Sequence, residues 1–246
     1  MAVNFRIVIP ARYASQRLPG KPLRSIHGKS MIEWVYLAAQ QANAAEVVVA
    51  TDDQRIFEQV ASFGGDACMT ASSHRSGTDR ILEVAKIRQW DSDSIVVNLQ
   101  GDEPLMPAVN ITQVAESLAA SDCSMATLHK VIDLGQAQDP NLVKLVHDRS
   151  GHALYFSRSL IPYDRSGEVV QYLGHIGIYA YRVGFLETFS KLAPCELETA
   201  ESLEQLRALC HGYAIHSEIA RAAPGPGVDT ELDLAQVEKL MAARSV

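Results

Sequence analysis

Three apolar runs, each closed by polar or loop-forming residues and followed by an amphipathic segment, constrain this chain more than any other feature. Phe5–Ile9 (FRIVI), Glu46–Thr51 (EVVVAT) and Ser94–Leu99 (SIVVNL) lack the alternation of a strand with one wet face. A strand apolar at successive positions is buried on both faces, as in a parallel sheet covered by helices. Between the runs the spacing turns helical. Ser30 with Glu33 three residues on predicts a capping box, and Ile32, Val35, Tyr36 and Ala39 then fall on one helix face. Helices are also predicted over Ile56–Ser62, ended by Gly64-Gly65, over Thr78–Arg88 and over Val109–Ala119, with a short strand at Ala67–Met69. This alternation predicts an α/β fold with a mostly parallel sheet flanked by helices.

The second half is less regular. Met125–Ile132, Leu142–His147, Ala153–Ser157 and His175–Tyr181 read as strands close enough together to pair antiparallel, and Leu197–Leu209 and Leu232–Ala243 read as helices. No repeat or linker separates the halves. The expectation is one α/β domain over 1–246, with a core of 1–124 and 210–246 and a smaller mixed β lobe over 125–209.

Charge is distributed unevenly. The chain carries a formal −7, yet residues 1–32 hold six basic residues (Arg6, Arg12, Arg17, Lys21, Arg24, Lys29) and no acid. The remainder holds 16 basic against 29 acidic groups. An acidic body with a basic N-terminal segment points to a local anion site and away from nucleic acid as a partner. No apolar run approaches the ~20 residues of a membrane span, and no export signal is legible, so a cytoplasmic location is expected. The four cysteines, at 68, 123, 195 and 210, form no CxxC pair and are expected to be reduced, buried packing residues.

In open α/β sheets ligands bind beyond the carboxyl ends of the strands. After the first strand comes a Pro-, Gly- and Arg-rich loop, Pro10–Pro22, whose Arg12, Arg17 and Lys21 suit phosphate, although a solvated surface loop has the same composition. Gly28-Lys29-Ser30 resembles the end of a Walker A loop, but position 23 is leucine where that motif needs glycine. After SIVVNL comes Gln100-Gly101-Asp102-Glu103-Pro104, two carboxylates that suit a hard cation such as Mg²⁺ or form a plain turn. In the PGPGVDT segment Asp229 or Thr230 reads as a cap for the last helix, and by itself Asp229 takes that role. Ser76 and Thr78, in HRSGTDR, read as caps or as contacts to an anionic ligand at a helix N-terminus. His175, in an apolar strand, reads by itself as a core histidine.

Taken together, VIPARYASQRLPGKPL, VVATDD, HRSGTDR, VNLQGDEP, ALYFSRSLIPYDR, HIGIYAYR, LEQLR and PGVDTELDL occur in one order from about residue 5 to 240. The chain thereby resembles the 3-deoxy-manno-octulosonate (Kdo) cytidylyltransferases. The resemblance implies a Rossmann-like sheet of the nucleotide-diphospho-sugar transferase type, a homodimer, and a reaction in which CTP and an eight-carbon 2-keto acid sugar give the CMP-sugar and pyrophosphate with Mg²⁺, for lipopolysaccharide biosynthesis. It implies triphosphate contacts from Arg12, Arg17 and Lys21, and a cytidine pocket involving Ser76, Gly77, Asp79 and Gln100. Asp102 and Asp229 become metal ligands. Arg158, His175, Tyr179, Glu204 and Gln205 become the sugar side, and Arg12, Lys21, Asp102 and Asp229 the catalytic set. Two anions must approach each other in this reaction, which accounts for cations on both sides and requires no side-chain nucleophile.

Two departures bear on the sugar. The segment from Ser166 to Gly174 is shorter than in many members, and Thr199 stands where the family pattern has a histidine or lysine. Loss of a basic group while Glu198, Glu201 and Glu204 remain would suit the protonated amine of 8-amino-Kdo. The alternatives are another nucleotidyltransferase of the same fold, acting on an acylneuraminate or a sugar 1-phosphate, and a non-catalytic nucleotide-binding module.

Overall fold

The computed structural model describes residues 3–14, 17–74, 76–167 and 171–244. Ser15 and Gln16 of the arginine-rich loop, Arg75 of HRSGTDR and residues 168–170 of the short segment lie outside the described residues. In chain order the elements are β1 (Phe5–Ala11), a 3-10 turn (Lys21–Leu23), β2 (Ser25–Ile26), β3 (Lys29–Ser30), α1 (Met31–Gln40), β4 (Glu46–Thr51), α2 (Gln54–Ser62), β5 (Ala67–Met69), α3 (Gly77–Ile87) and β6 (Ile95–Asn98). The chain continues with α4 (Ala108–Ala120), β7 (Met125–Ile132), α5 (Leu134–Ala137), β8 (Lys144–His147), β9 (Ala153–Ser157), β10 (Tyr172–Arg182), α6 (Val183–Phe189), α7 (Glu196–Glu201), α8 (Gln205–Cys210), β11 (Ile215–Ile219) and α9 (Glu231–Arg244).

Among the described residues nine strands form one sheet, in the order β11-β7-β10-β6-β1-β4-β5, with β8 paired to β10 and β9 to β8. Strands β1, β4, β5 and β6 are parallel, as are β7 and β11. Because β10 is antiparallel to both β6 and β7, all the other strands of that path point the same way. The mostly parallel sheet expected from the apolar runs is therefore present, and β8–β9 supplies an antiparallel arm.

Alternation along β1 decides the two faces. Phe5, Ile7, Ile9 and Ala11 are buried against α1, α2 and α4, whereas Val8 joins the opposite layer with Ile81 and Val84 of α3 and Phe185 of α6. A third, smaller cluster matters most for function. Leu18 and Ile26 of the N-terminal loop, Met31, Leu105, Val228, and Leu234, Val237 and Met241 of α9 pack together, joining segments more than 200 residues apart.

Several local expectations are corrected. Ser30 caps α1 by accepting the Glu33 N–H at 3.4 Å, but the Glu33 carboxylate takes Lys29 Nζ at 2.6 Å, so only half the predicted capping box forms. The single helix predicted over Leu197–Leu209 is two, because Ser202 adopts φ 52° and turns the chain. Cys68 and Cys123 are buried as expected, whereas Cys195 is half-buried and Cys210 exposed. Thr230, not Asp229, caps α9: its hydroxyl accepts the Asp233 N–H at 3.3 Å, while the Asp233 carboxylate accepts the Thr230 N–H at 2.8 Å. That frees the Asp229 carboxylate.

Candidate active site

A cavity of about 470 Å³ opens at the carboxyl ends of β1 and β6. Its wall contains seven of the residues singled out from sequence: Arg12, Arg17, Lys21, Gly77, Gln100, Asp102 and Asp229. The size suits a small ligand. At its centre Lys21 Nζ donates to Asp102 Oδ2 at 2.6 Å and to Asp229 Oδ1 at 3.0 Å. Arg17 Nη2 lies 3.1 Å from Asp229 Oδ2. Burial works against the Lys21 ammonium, but Asp102 and Asp229 outweigh it and hold its pKa above the ordinary 10.5.

Packing underneath explains why these groups meet. Leu18 lies three residues before Lys21, Leu105 three after Asp102, and Val228 one before Asp229, and all three belong to the α9 cluster. The two acidic loops are latched by backbone bonds, Val228 N–H to Asp102 O at 2.9 Å and Gly225 N–H to Leu105 O at 3.4 Å. The contact is so close that a Cβ on Gly225 would stand 2.5 Å from Leu105 Cβ. Gly225→Ala is therefore expected to cost about 1–3 kcal/mol and to swing Asp229 off Lys21. The checks are a urea melt and the rate of pyrophosphate release, which should fall at substrate saturation. Gly101 serves the same end on the other side, since a Cβ there would meet the Pro10 carbonyl oxygen at 2.9 Å.

Neighbouring groups fix the walls. Gln100 Nε2 donates to Asn98 Oδ1 at 2.9 Å. Arg12 Nη2 donates to the carbonyls of His74 (2.7 Å) and Ser76 (3.2 Å), so it holds the loop that opens α3. Ser76 and Asp79 form the capping box of α3. Burial, then the charges of Asp102 and Asp229, push the Glu103 carboxyl up to about 8, which leaves it protonated at neutral pH.

Two further cavities flank the first. One, of about 650 Å³, shares Arg17, Asp102 and Asp229 with it and adds Glu103, Lys130 and His175. The other, of about 670 Å³, lies beyond Ser76 and Asp79 and is walled by Glu198, Thr199, Glu204 and Arg207. Thr78 Oγ1 donates to Glu204 Oε2 at 2.7 Å, while the buried Glu204 Oε1 has no hydrogen-bond partner among the described residues. Glu198 takes both arms of the Arg207 guanidinium, and Glu201 accepts Ser157 Oγ–H at 2.5 Å and the Arg158 N–H at 2.8 Å.

The sugar-side residues named from sequence are thus separated. His175 and Glu204 line different cavities, and Arg158, Tyr179 and Gln205 line none of the three. Arg158 spends its guanidinium on the carbonyls of Glu201 (2.7 Å) and Pro140 (3.1 Å). Tyr179 packs behind His175 at 5.3 Å between ring centroids, and Gln205 is buried at the start of α8. Sequence reasoning missed Lys130 and Arg207. Only Arg207 left a signal, as the basic end of LEQLR.

His175 is held by Thr127 Oγ1 at 3.0 Å. Burial, then the nearby His129, lowers its pKa to about 3, and burial, then His147, lowers that of His129 to about 4. Both are neutral when folded and gain a proton on unfolding once the pH is below the usual 6.5. Stability is therefore expected to fall as pH drops from 6.5 toward 4, by about 2 kcal/mol per histidine at pH 5. Urea midpoints at pH 7 and pH 5 measure this, and His175→Gln should flatten part of the fall.

The cytidylyltransferase family model matches residues 6–218. The 3-deoxy-manno-octulosonate cytidylyltransferase of Vibrio vulnificus (strain YJ016) is 53% identical over 99% of this chain and 100% of its own. That of Tolumonas auensis is 50% identical over 97% of each chain. Among solved structures, a CMP:2-keto-3-deoxy-manno-octonic acid synthetase complexed with CTP superposes with a TM-score of 0.93 at 47% identity, covering 98% of this chain and 99% of that one. A nucleotidyl transferase from Methanothermobacter, at 14% identity and a TM-score of 0.64 over 98% of this chain and 99% of its own, shares the fold alone. The chain belongs to the cytidylyltransferase family and, within it, to the 3-deoxy-manno-octulosonate cytidylyltransferases.

Proposed function

We propose that the chain transfers CMP from CTP to the anomeric hydroxyl of Kdo or a close relative, releasing pyrophosphate for lipopolysaccharide biosynthesis. The observation that carries this reading is the meeting of Arg17, Asp102 and Asp229 on a wall common to two cavities, with Lys21 bridging the two acids from the first. One cavity then takes the nucleotide and the other the sugar acid, and the reacting atoms face each other at that wall. In the reaction the sugar oxygen attacks the α-phosphorus, the bond to pyrophosphate breaks, and the anomeric proton is released. Arg12, Arg17 and Lys21 neutralise the triphosphate, and Ser76, Gly77, Asp79 and Gln100 border the cytidine. His175 and Lys130 stand on the sugar side.

Two carboxylates converging on a single ammonium form an all-oxygen donor set around a point of positive charge, which fits Mg²⁺. Asp102 and Asp229 would hold that ion, which when bound supplies Lewis acidity and charge neutralisation to phosphate oxygens.

The substituent at C8 of the sugar is a separate question. Glu198 and Glu201 are committed to internal partners, and Glu204 Oε1 is buried, 3.9 Å from Arg207 Nη2, beside a cavity other than that of His175. The second reading, 8-amino-Kdo, therefore rests on Thr199 standing where the family pattern has a basic residue. Residues 125–209 serve the sugar and a homodimer contact, and Val131, Leu134, Leu154 and Tyr163 expose apolar surface there. Sedimentation equilibrium tests the dimer. No helix among the described residues is long and apolar enough to cross a membrane, and the need for CTP supports a cytoplasmic reaction.

The deciding assay supplies CTP, Mg²⁺ and either Kdo, 8-amino-Kdo or an acylneuraminate to the purified protein. Pyrophosphate release with one of the first two and CTP is the expected result. Release with only the acylneuraminate, with UTP in place of CTP, or without any acceptor would overturn it.

A further inference from the structure

Outside the cavities described above, one cluster combines sulfur, nitrogen and oxygen donors. It lies at the opposite end of the strands. β7 runs in the same direction as β6, so the residues just before β7 are far from the strand ends that frame Asp102. Asp122 and Cys123 occupy that position after α4, and His152 comes from the turn between β8 and β9. One oxygen, Asp122 Oδ1, is 3.9 Å from both Cys123 Sγ and His152 Nε2. The three donor atoms lie within 4.8 Å of one another. Tetrahedral bonds of 2.0–2.3 Å space ligand atoms about 3.3–3.8 Å apart, so small side-chain rotations suffice.

The surroundings fit the same purpose. His152 Nδ1 faces Asp148 Oδ2 at 3.4 Å, and the backbone N–H groups of Ser150 and His152 fix that carboxylate at 2.8 and 2.9 Å. A carboxylate on one imidazole nitrogen leaves the lone pair of the other for a metal, the usual outer-sphere arrangement of a histidine ligand. A cavity of about 560 Å³ gives access, walled by Asp122, His152, His216 and Glu218. His216 faces His152 with ring centroids 6.1 Å apart, and its Nδ1 is buried without a hydrogen-bond partner among the described residues.

We propose that Asp122, Cys123 and His152 bind a first-row divalent transition-metal ion of the Zn²⁺ class, at a site separate from the catalytic cavity. A thiolate and an imidazole select against Mg²⁺ and Ca²⁺, which prefer oxygen donors. The bound ion ties the end of α4, the β8–β9 turn and, through the shared cavity, β11. It therefore stabilises the fold by mass action and is not required for the transfer reaction.

Cobalt(II) is the probe. The full-length protein is stripped with a chelator, exchanged into chelator-free buffer and titrated with Co²⁺ in excess Mg²⁺. The expected result is one equivalent bound with a thiolate-to-cobalt band in the near ultraviolet, displaced by Zn²⁺, together with a higher melting temperature. Cys123→Ser should abolish the band. Asp122→Asn should weaken binding at least about tenfold; its side chain is solvent-exposed, so this variant folds even if Cys123→Ser does not. Asp102→Asn should leave the band unchanged, which separates this site from the catalytic one. Absence of the band in the unaltered chain, its persistence in Cys123→Ser, or its loss in Asp102→Asn would overturn the proposal.

Discussion

Asp102→Asn is expected to lower CTP-dependent pyrophosphate release by about 10³-fold, the scale seen when one preorganised charge-stabilising group is lost. The substitution preserves shape and removes only charge. Lys21 keeps Asp229 at 3.0 Å as a partner, so the loop remains neutralised and the fold persists. The loss should therefore sit in kcat, with the thermal midpoint little changed. Pyrophosphate release at saturating CTP and sugar measures the first, and a circular-dichroism melt the second. A variant that retains more than a tenth of the rate would remove Asp102 from the reaction.

Lys21→Met should be nearly as severe for a different reason. The ammonium stands between two carboxylates, and its neutral replacement leaves Asp102 and Asp229 facing each other with only Arg17 beside Asp229. A triphosphate then enters a site whose charge has changed by one unit toward its own sign. At short range in a partly buried site one such charge is worth several kcal/mol, so CTP affinity and turnover should fall together, by about 10²–10³-fold in kcat/KM. Lys21→Arg should restore little, because the planar fork cannot occupy the point between two acids that a compact ammonium fills. Full activity in Lys21→Met would mean that the ion pair is structural only.

Much of the fold is legible in the sequence where short apolar runs are bounded by polar or turn-forming residues. Glu46–Thr51, Ala67–Met69, Met125–Ile132 and Ala153–Ser157 begin and end at the residues that composition indicates. β11 escapes such a reading because it is an edge strand, IHSEI, whose polar positions match any surface loop. α6 escapes because it follows β10 without a break, and the split between α7 and α8 because no glycine or proline marks Ser202. The residue types of the site are legible too, since an arginine-rich loop and QGDEP both follow buried strands. Their meeting is not. It depends on Leu18, Leu105 and Val228 sharing one apolar cluster, and no local pattern links positions so remote. The sugar side is the least legible, because Arg158 and Tyr179 are satisfied by their own neighbourhood.

The knot of Leu18, Leu105, Val228 and α9 carries a consequence for biosynthesis. The ribosome makes Lys21 and Asp102 early and Asp229 near the end, so a nascent chain exposes its cationic loop and first acid well before the counterpart exists. Such a chain lacks the second carboxylate of the pair until Val228 and α9 have docked on Leu18 and Leu105.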